Sequence, residues 1–232
     1  MEPIYVITRN VLVLLLRVFF RFKVMGLERI PRRGPAIIVP NHISNFDPVC
    51  VAYLVDAARR RPRFLAKASL WKNPILKFIL KGGGQISVNR GTGETTPMIQ
   101  AEAAVRRGET VVLYPEGTIT TNIDLMPMRA KTGIARLALS TGAPVIPVGQ
   151  WGAQWLGGKG RTMKYLGHRL VMFNVGEPLT FEEHLGKQED PDVRREVADR
   201  IMVEIEKLVR DVIKIHPDGG AVPSFAQKEG EA

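Results

Sequence analysis

The chain has 232 residues, with 33 Lys and Arg against 23 Asp and Glu, a formal charge of +10 and one cysteine. This is the length of one globular domain, able to bury a core without disulfides or a structural metal. A lone thiol, Cys50, excludes an internal disulfide and a Cys-rich zinc cluster, and it fits a reducing compartment.

The charge is unevenly placed. Residues 1–34 carry seven basic against two acidic side chains, residues 56–90 nine against one, and the chain from Phe181 onward eight against thirteen. The basic front therefore points to an anionic partner: lipid, a phosphate-bearing ligand or nucleic acid.

At the N-terminus, Tyr5 to Val24 is strongly apolar but broken by Arg9, Arg17, Arg21 and Lys23. Its longest unbroken apolar run, Val11 to Leu16, is far short of the roughly 20 residues that span a bilayer. Read as a helix, it groups Asn10, Arg17 and Arg21 on one side and leaves Val13, Leu14 and Phe20 on a broad apolar face. That pattern favours a helix lying in the headgroup plane of an anionic membrane over one docked on the protein's own core. No small-residue cleavage pattern follows, which argues against a signal peptide.

Beyond Lys23, short β-rich runs alternate with helical stretches. Strands are expected at Ala36–Val39, Phe64–Ala66, Gln85–Val88, Thr110–Tyr114, Val145–Val148 and Leu170–Val175. Helices are expected at Pro48–Ala58, Pro74–Leu80, Thr96–Arg107 and Arg129–Ser140. The alternation predicts a single α/β domain with a central mixed sheet covered by helices. A last helix opens with Asp190 as cap and Pro191 in its first turn, and repeats apolar residues from Val193 to Val212. The expected organisation is an interfacial segment at 1–24, the α/β domain at 25–217 and a tail at 218–232.

The segment Asn41-His42-Ile43-Ser44-Asn45-Phe46-Asp47-Pro48 follows the first of these expected strands. Five residues apart, His42 and Asp47 lie about 140° apart on a regular helix and meet only across a turn. Asp47-Pro48 favours a helix start at Pro48, with Asp47 as cap. Spacing alone leaves two readings open: a carboxylate-oriented histidine serving as general base, or a cap beside an unrelated loop histidine. His168, His184 and His216 have no comparable setting and read as surface residues. Cys50 falls inside the expected helix, there is no G-x-S-x-G elbow, and the glycines at 82–84, 91 and 93 match no nucleotide-binding fingerprint.

Asn41-His42 with Asp47 resembles the N-H-x-x-x-x-D motif of the glycerolipid acyltransferases, specifically the bacterial 1-acylglycerol-3-phosphate acyltransferase family. Three further blocks are similar and in order: Gly84 to Arg90, Tyr114-Pro115-Glu116-Gly117-Thr118, and Ala143 to Val148. The third departs from the family pattern after Thr118, where Ile119 and Thr120 stand in place of arginine and serine. The resemblance implies an acyl transfer from a coenzyme A or carrier-protein thioester to the hydroxyl of lysophosphatidic acid, with no cofactor. His42 and Asp47 would be catalytic, Arg90 and Lys67 would contact phosphate, and Glu116, Gly117 and Thr118 would form an acceptor loop. Lys131 is an equally balanced choice between phosphate contact and solvated charge. Leu70, Trp71, Ile75 and Phe78 are candidate lining of an acyl groove. The expected location is peripheral or monotopic, at the cytoplasmic face of the cell membrane. Nucleic acid is the least favoured partner, because the basic stretches hold few aromatics and no recognised motif.

Overall fold

The computed structural model describes residues 3–89, 95–156 and 169–222. Its elements in chain order are α1 (Pro3–Phe19), β1 (Phe20–Met25), β2 (Ala36–Pro40), α2 (Asp47–Ala57), β3 (Pro62–Lys67), α3 (Pro74–Gly82), β4 (Ile86–Val88), α4 (Thr96–Arg106), β5 (Thr110–Val112), α5 (Gly133–Thr141), β6 (Val145–Trp151), β7 (Arg169–Val175) and α6 (Pro191–Ile215). The seven strands form one mixed sheet in the order β1-β7-β6-β2-β5-β3-β4. All neighbours are parallel except β6 and β7.

Strand β2 is buried along its whole length, which is why its sequence is a continuous apolar run. Ile37 and Val39 point into a core built with α4, α5 and α6, whereas Ile38 points into a second core shared with α1 and α2. Helix α6 lies so close over β6 that a side chain at Gly149 would come within 2.5 Å of the α6 backbone at Leu208 and Val209. Only glycine permits that approach.

The N-terminal reading requires correction. The helix ends at Phe19, and Phe20–Met25 runs as an edge strand parallel to β7, so the junction lies before Phe20 and not after Val24. Phe20, Phe22 and Val24 turn inward while Arg21 and Lys23 are exposed, a period of two that helical-wheel reading cannot represent. Phe22 stacks on Tyr53 of α2 with ring centroids 4.0 Å apart, which packs the edge strand against the helix that covers it. Helix α1 itself docks through Leu12 and Leu16 on the core and through Arg9, which pairs with Asp56. Its outer side leaves Leu14 and Val18 exposed beside Asn10 and Arg17. Among the described residues no helix is long and apolar enough to cross a membrane.

Other corrections are local. Helix α5 begins at Gly133, not Arg129, and β5 stops at Val112. His216 is buried, with Nε2 3.1 Å from the Leu170 carbonyl oxygen, so it is no surface residue; His168 lies outside the described residues. Residues 223–232 of the expected tail also lie outside them.

Candidate active site

The parallel strands β2, β3, β4, β5 and β6 all end at the same edge of the sheet, so their following loops converge there. His42 follows β2, Tyr114 to Thr118 follow β5, and Lys67 closes β3. Asn41 extends the β2–β6 contact beyond the ladder. Its Nδ2 donates to the Gln150 carbonyl at 3.2 Å, its Oδ1 accepts from the Gln150 N–H at 2.8 Å, and Gln150 Nε2 donates to its carbonyl at 2.7 Å. The residue before His42 is thereby locked to the neighbouring strand.

His42 and Asp47 meet across the turn closed by the Asp47 N–H and the Ser44 carbonyl, 3.2 Å apart. Asp47 Oδ2 lies 2.8 Å from His42 Nδ1, 2.6 Å from the Ile43 nitrogen and 2.8 Å from the Ser44 nitrogen. Two backbone N–H groups can point only at an acceptor, so that oxygen accepts, and Nδ1 is the third donor. The proton is thus fixed on Nδ1, and the Nε2 lone pair is left for another group. Nε2 has no hydrogen bond to a described residue. Asp47 does not cap α2 as expected: the cap position is Phe46, without a side-chain bond, and the carboxylate turns back into the loop. It is fully buried, and burial pushes it above the ordinary carboxylate range while the bonds from His42, Ser44 and Ile43 pull it back.

The β5 loop holds His42 on two further sides. Tyr114 stacks on the imidazole, with centroids 4.2 Å apart and planes 24° from parallel. Glu116 Oε1 accepts the His42 N–H at 2.9 Å, Glu116 Oε2 accepts the Met128 N–H at 2.8 Å, and the Thr120 N–H donates to the His42 carbonyl at 2.8 Å. Glu116 therefore ties the histidine's peptide to the loop before α5. Burial raises its pKa to about 7, against the lowering effect of the two backbone N–H donors. Tyr114 and Thr120 enter the sequence reading only as part of the third block and its departure, and their contacts with His42 escape sequence reasoning.

Gly117 has φ of +72°, and Lys131 drapes over it, with Cε 3.0 Å and Nζ 3.1 Å from where a Cβ would stand. The Lys131 backbone N–H donates to the Pro115 carbonyl at 2.9 Å. Gly117→Ala is expected to cost about 1–2 kcal/mol for the left-handed backbone alone. Equilibrium urea unfolding checks this. A further steric loss should disappear when the comparison is made in a Lys131→Ala background, which leaves only the backbone strain.

Of the remaining expected residues, Thr118 is half-buried and Lys67 exposed. Lys67 stands two strands from His42, roughly 10 Å at normal strand spacing, and makes no contact with the histidine. Arg90 lies outside the described residues, directly after Asn89 at the end of β4. Cys50 is fully buried in α2, and burial drives its thiol pKa far up, so it is no nucleophile. Ile75 and Phe78 point outward, 70% and 58% exposed, and do not line a groove.

A helix-covered mixed sheet with a buried His–Asp pair at the ends of its parallel strands defines an α/β protein whose functional loops gather at one sheet edge. Residues 21–151 match the Acyltransferase family model, and the chain belongs to that family. It is similar to 1-acyl-sn-glycerol-3-phosphate acyltransferase from Borreliella burgdorferi, 32% identical over 127 residues that cover 54% of this chain and 49% of the relative. A human relative, 1-acyl-sn-glycerol-3-phosphate acyltransferase beta, is 33% identical over 55% of this chain and 45% of its own length. Lyso-ornithine lipid O-acyltransferase from Rhizobium meliloti is 27% identical over 84% of this chain and 71% of that protein. The chain spans about half the length of the first two relatives. The fold is that of the crystal structure of the 1-acyl-sn-glycerophosphate (LPA) acyltransferase from Thermotoga maritima, with a TM-score of 0.69 at 22% identity, covering 91% of this chain and 83% of that one.

Proposed function

We infer that this protein transfers an acyl group from a coenzyme A or carrier-protein thioester to the free hydroxyl of lysophosphatidic acid. The observation that carries the reading is the His42–Asp47 pair, with its proton held on Nδ1 and Nε2 without a hydrogen bond to any described residue. His42 Nε2 takes the proton of the acceptor hydroxyl as that oxygen attacks the thioester carbonyl. Asp47 stabilises the resulting imidazolium. When the tetrahedral intermediate collapses, the C–S bond breaks and the imidazolium proton passes to the departing thiolate. Oxygen replaces sulfur on the acyl carbon, and no electron carrier is required. A thioester is already activated, so the reaction needs no acyl-enzyme nucleophile and no cofactor.

Arg90 and Lys67 supply cations for the acceptor phosphate in this reading, and Gly117 and Thr118 face the acceptor from the loop that Glu116 anchors. Lys131, lying over Gly117, adds charge on the same side. The chain works at an anionic membrane surface, at its cytoplasmic face, with α1 lying in the headgroup plane through Leu14 and Val18.

A second acceptor class has its own support, since the long alignment to a lyso-ornithine lipid O-acyltransferase favours an amino-acid headgroup in place of a phosphate. Thiol release from acyl-coenzyme A should depend on added lysophosphatidic acid and be weaker with lyso-ornithine lipid. Arg90→Ala should raise KM for the phosphate acceptor selectively. Equal loss with both acceptors would remove Arg90 from phosphate binding, and a preference for lyso-ornithine lipid would reassign the substrate.

A further inference from the structure

From Ala57 to Gly93 the chain contains no Asp or Glu, and in the middle of this stretch lies the least buried helix of the fold. Helix α3 is properly started: Asn73 Oδ1 accepts the N–H groups of Ile75 and Leu76 at 3.0 and 3.1 Å. Yet none of its residues is buried. Ile75, Leu76, Phe78 and Ile79 are exposed, and Leu70 in the 3-10 turn before it is exposed as well. At 100° per residue these α3 side chains span one broad arc, and Lys77 and Lys81 fall together on the opposite side. Contiguous apolar exposure of this kind marks a surface that something covers.

The charge says what covers it. Lys72, Lys77 and Lys81 are exposed, and none pairs with a described acidic group. Lys67, at the end of β3, and Arg17, on α1, are exposed as well. Helix α1 packs next to α3 and carries exposed apolar residues of its own, Leu14 and Val18. An apolar side backed by unpaired lysines complements an anionic bilayer, where the rings and methyl groups enter the acyl boundary and the long lysine side chains reach round to the phosphates. A second copy would bring together two segments that each carry nine basic side chains against one acidic between residues 56 and 90.

We propose that α3 is a bilayer-inserting helix, which together with the outer side of α1 forms one docking surface for anionic lipid. The proposal rests on the membrane-surface part of the reading above and extends it beyond the N-terminal segment. Because α3 follows β3 and Lys67, the surface lies on the chain next to the sheet edge that carries His42. An acceptor could then pass from the membrane to the site without leaving lipid.

The test is vesicle flotation of the full chain with phosphatidylcholine vesicles, with and without phosphatidylglycerol. Ile75→Asp/Phe78→Asp should bind about tenfold or more weakly and keep the parent melting temperature, because both side chains already face solvent. It should also retain turnover of short-chain, water-soluble donor and acceptor, while turnover of vesicle-embedded acceptor falls. Lys72→Glu/Lys77→Glu/Lys81→Glu should lose the preference for phosphatidylglycerol. Unchanged vesicle binding in both variants overturns the proposal. So does a lipid-free dimer of the parent protein that the apolar variant dissociates, since the covering partner would then be a second copy. If the parent binds vesicles through α3 but turns over no soluble acceptor, the docking surface stands and the acyl-transfer reading falls.

Discussion

His42→Ala is expected to lower acyl transfer by about 10²- to 10⁴-fold, the range over which a positioned general base acts. Melting temperature and vesicle binding should change little by comparison. The expectation rests on where the imidazole is held. Its Nδ1 faces a buried carboxylate, its ring lies on Tyr114, and its peptide is gripped through both N–H and carbonyl by the β5 loop. Such a residue has almost no rotational freedom, so its loss removes an oriented base and leaves the surrounding backbone bonds in place. Asp47→Asn offers a useful contrast, because the amide oxygen can still stand where Oδ2 accepts from Nδ1. Orientation then survives while the charge that stabilises the imidazolium is gone, so kcat should fall more than KM rises. Measuring thiol release from acyl-coenzyme A gives both numbers. If His42→Ala retains most of the parent's turnover, the proton acceptor is another group and the mechanism is wrong.

The spacing of His42 and Asp47 leaves their pairing as one of two readings, and the family resemblance, not the local turn, favours it. What could not be read was the side-chain direction. Asp47-Pro48 has the sequence form of a helix cap, but the carboxylate accepts from the Ile43 and Ser44 N–H groups on the other side. These bonds compete with the capping bond for the same side chain. Glu116 was legible as part of a loop, not as the strut under His42, because its partners lie 74 and 12 residues away. Tyr114 was hidden for the same reason. The sheet was largely legible through its runs of β-branched residues. The exception, β1, carries alternating Phe20, Phe22 and Val24 immediately after a helix, and a window long enough to detect the helix averages that alternation away. The exposed arc of α3 was read as a possible groove lining because periodicity reports that a helix has an apolar side and says nothing of whether protein or lipid meets it.

Glu116 makes the pH dependence of stability distinctive. Its folded-state pKa is raised to about 7 from an ordinary 4.5 by burial, so folding favours the protonated form. The sign follows from linkage: its contribution is fully present below about pH 4.5 and is lost as pH rises through about 7. At about 1.4 kcal/mol for each unit of pKa difference, the loss is of the order of 3 kcal/mol. Glu116→Gln cannot ionise. It keeps one acceptor oxygen for the His42 or the Met128 N–H, and its amide group faces the other donor, so it pays a pH-independent penalty for one lost hydrogen bond. Relative to this variant, the parent protein is therefore expected to be most stable below about pH 4.5 and to lose about 2.5 kcal/mol of that advantage between pH 5 and pH 8. Urea unfolding of both proteins at the two pH values measures the difference directly, and effects of other titrating groups common to the two proteins cancel. An advantage that grows with pH would mean that the two backbone donors outweigh burial, and that Glu116 sits beneath His42 as a permanent anion.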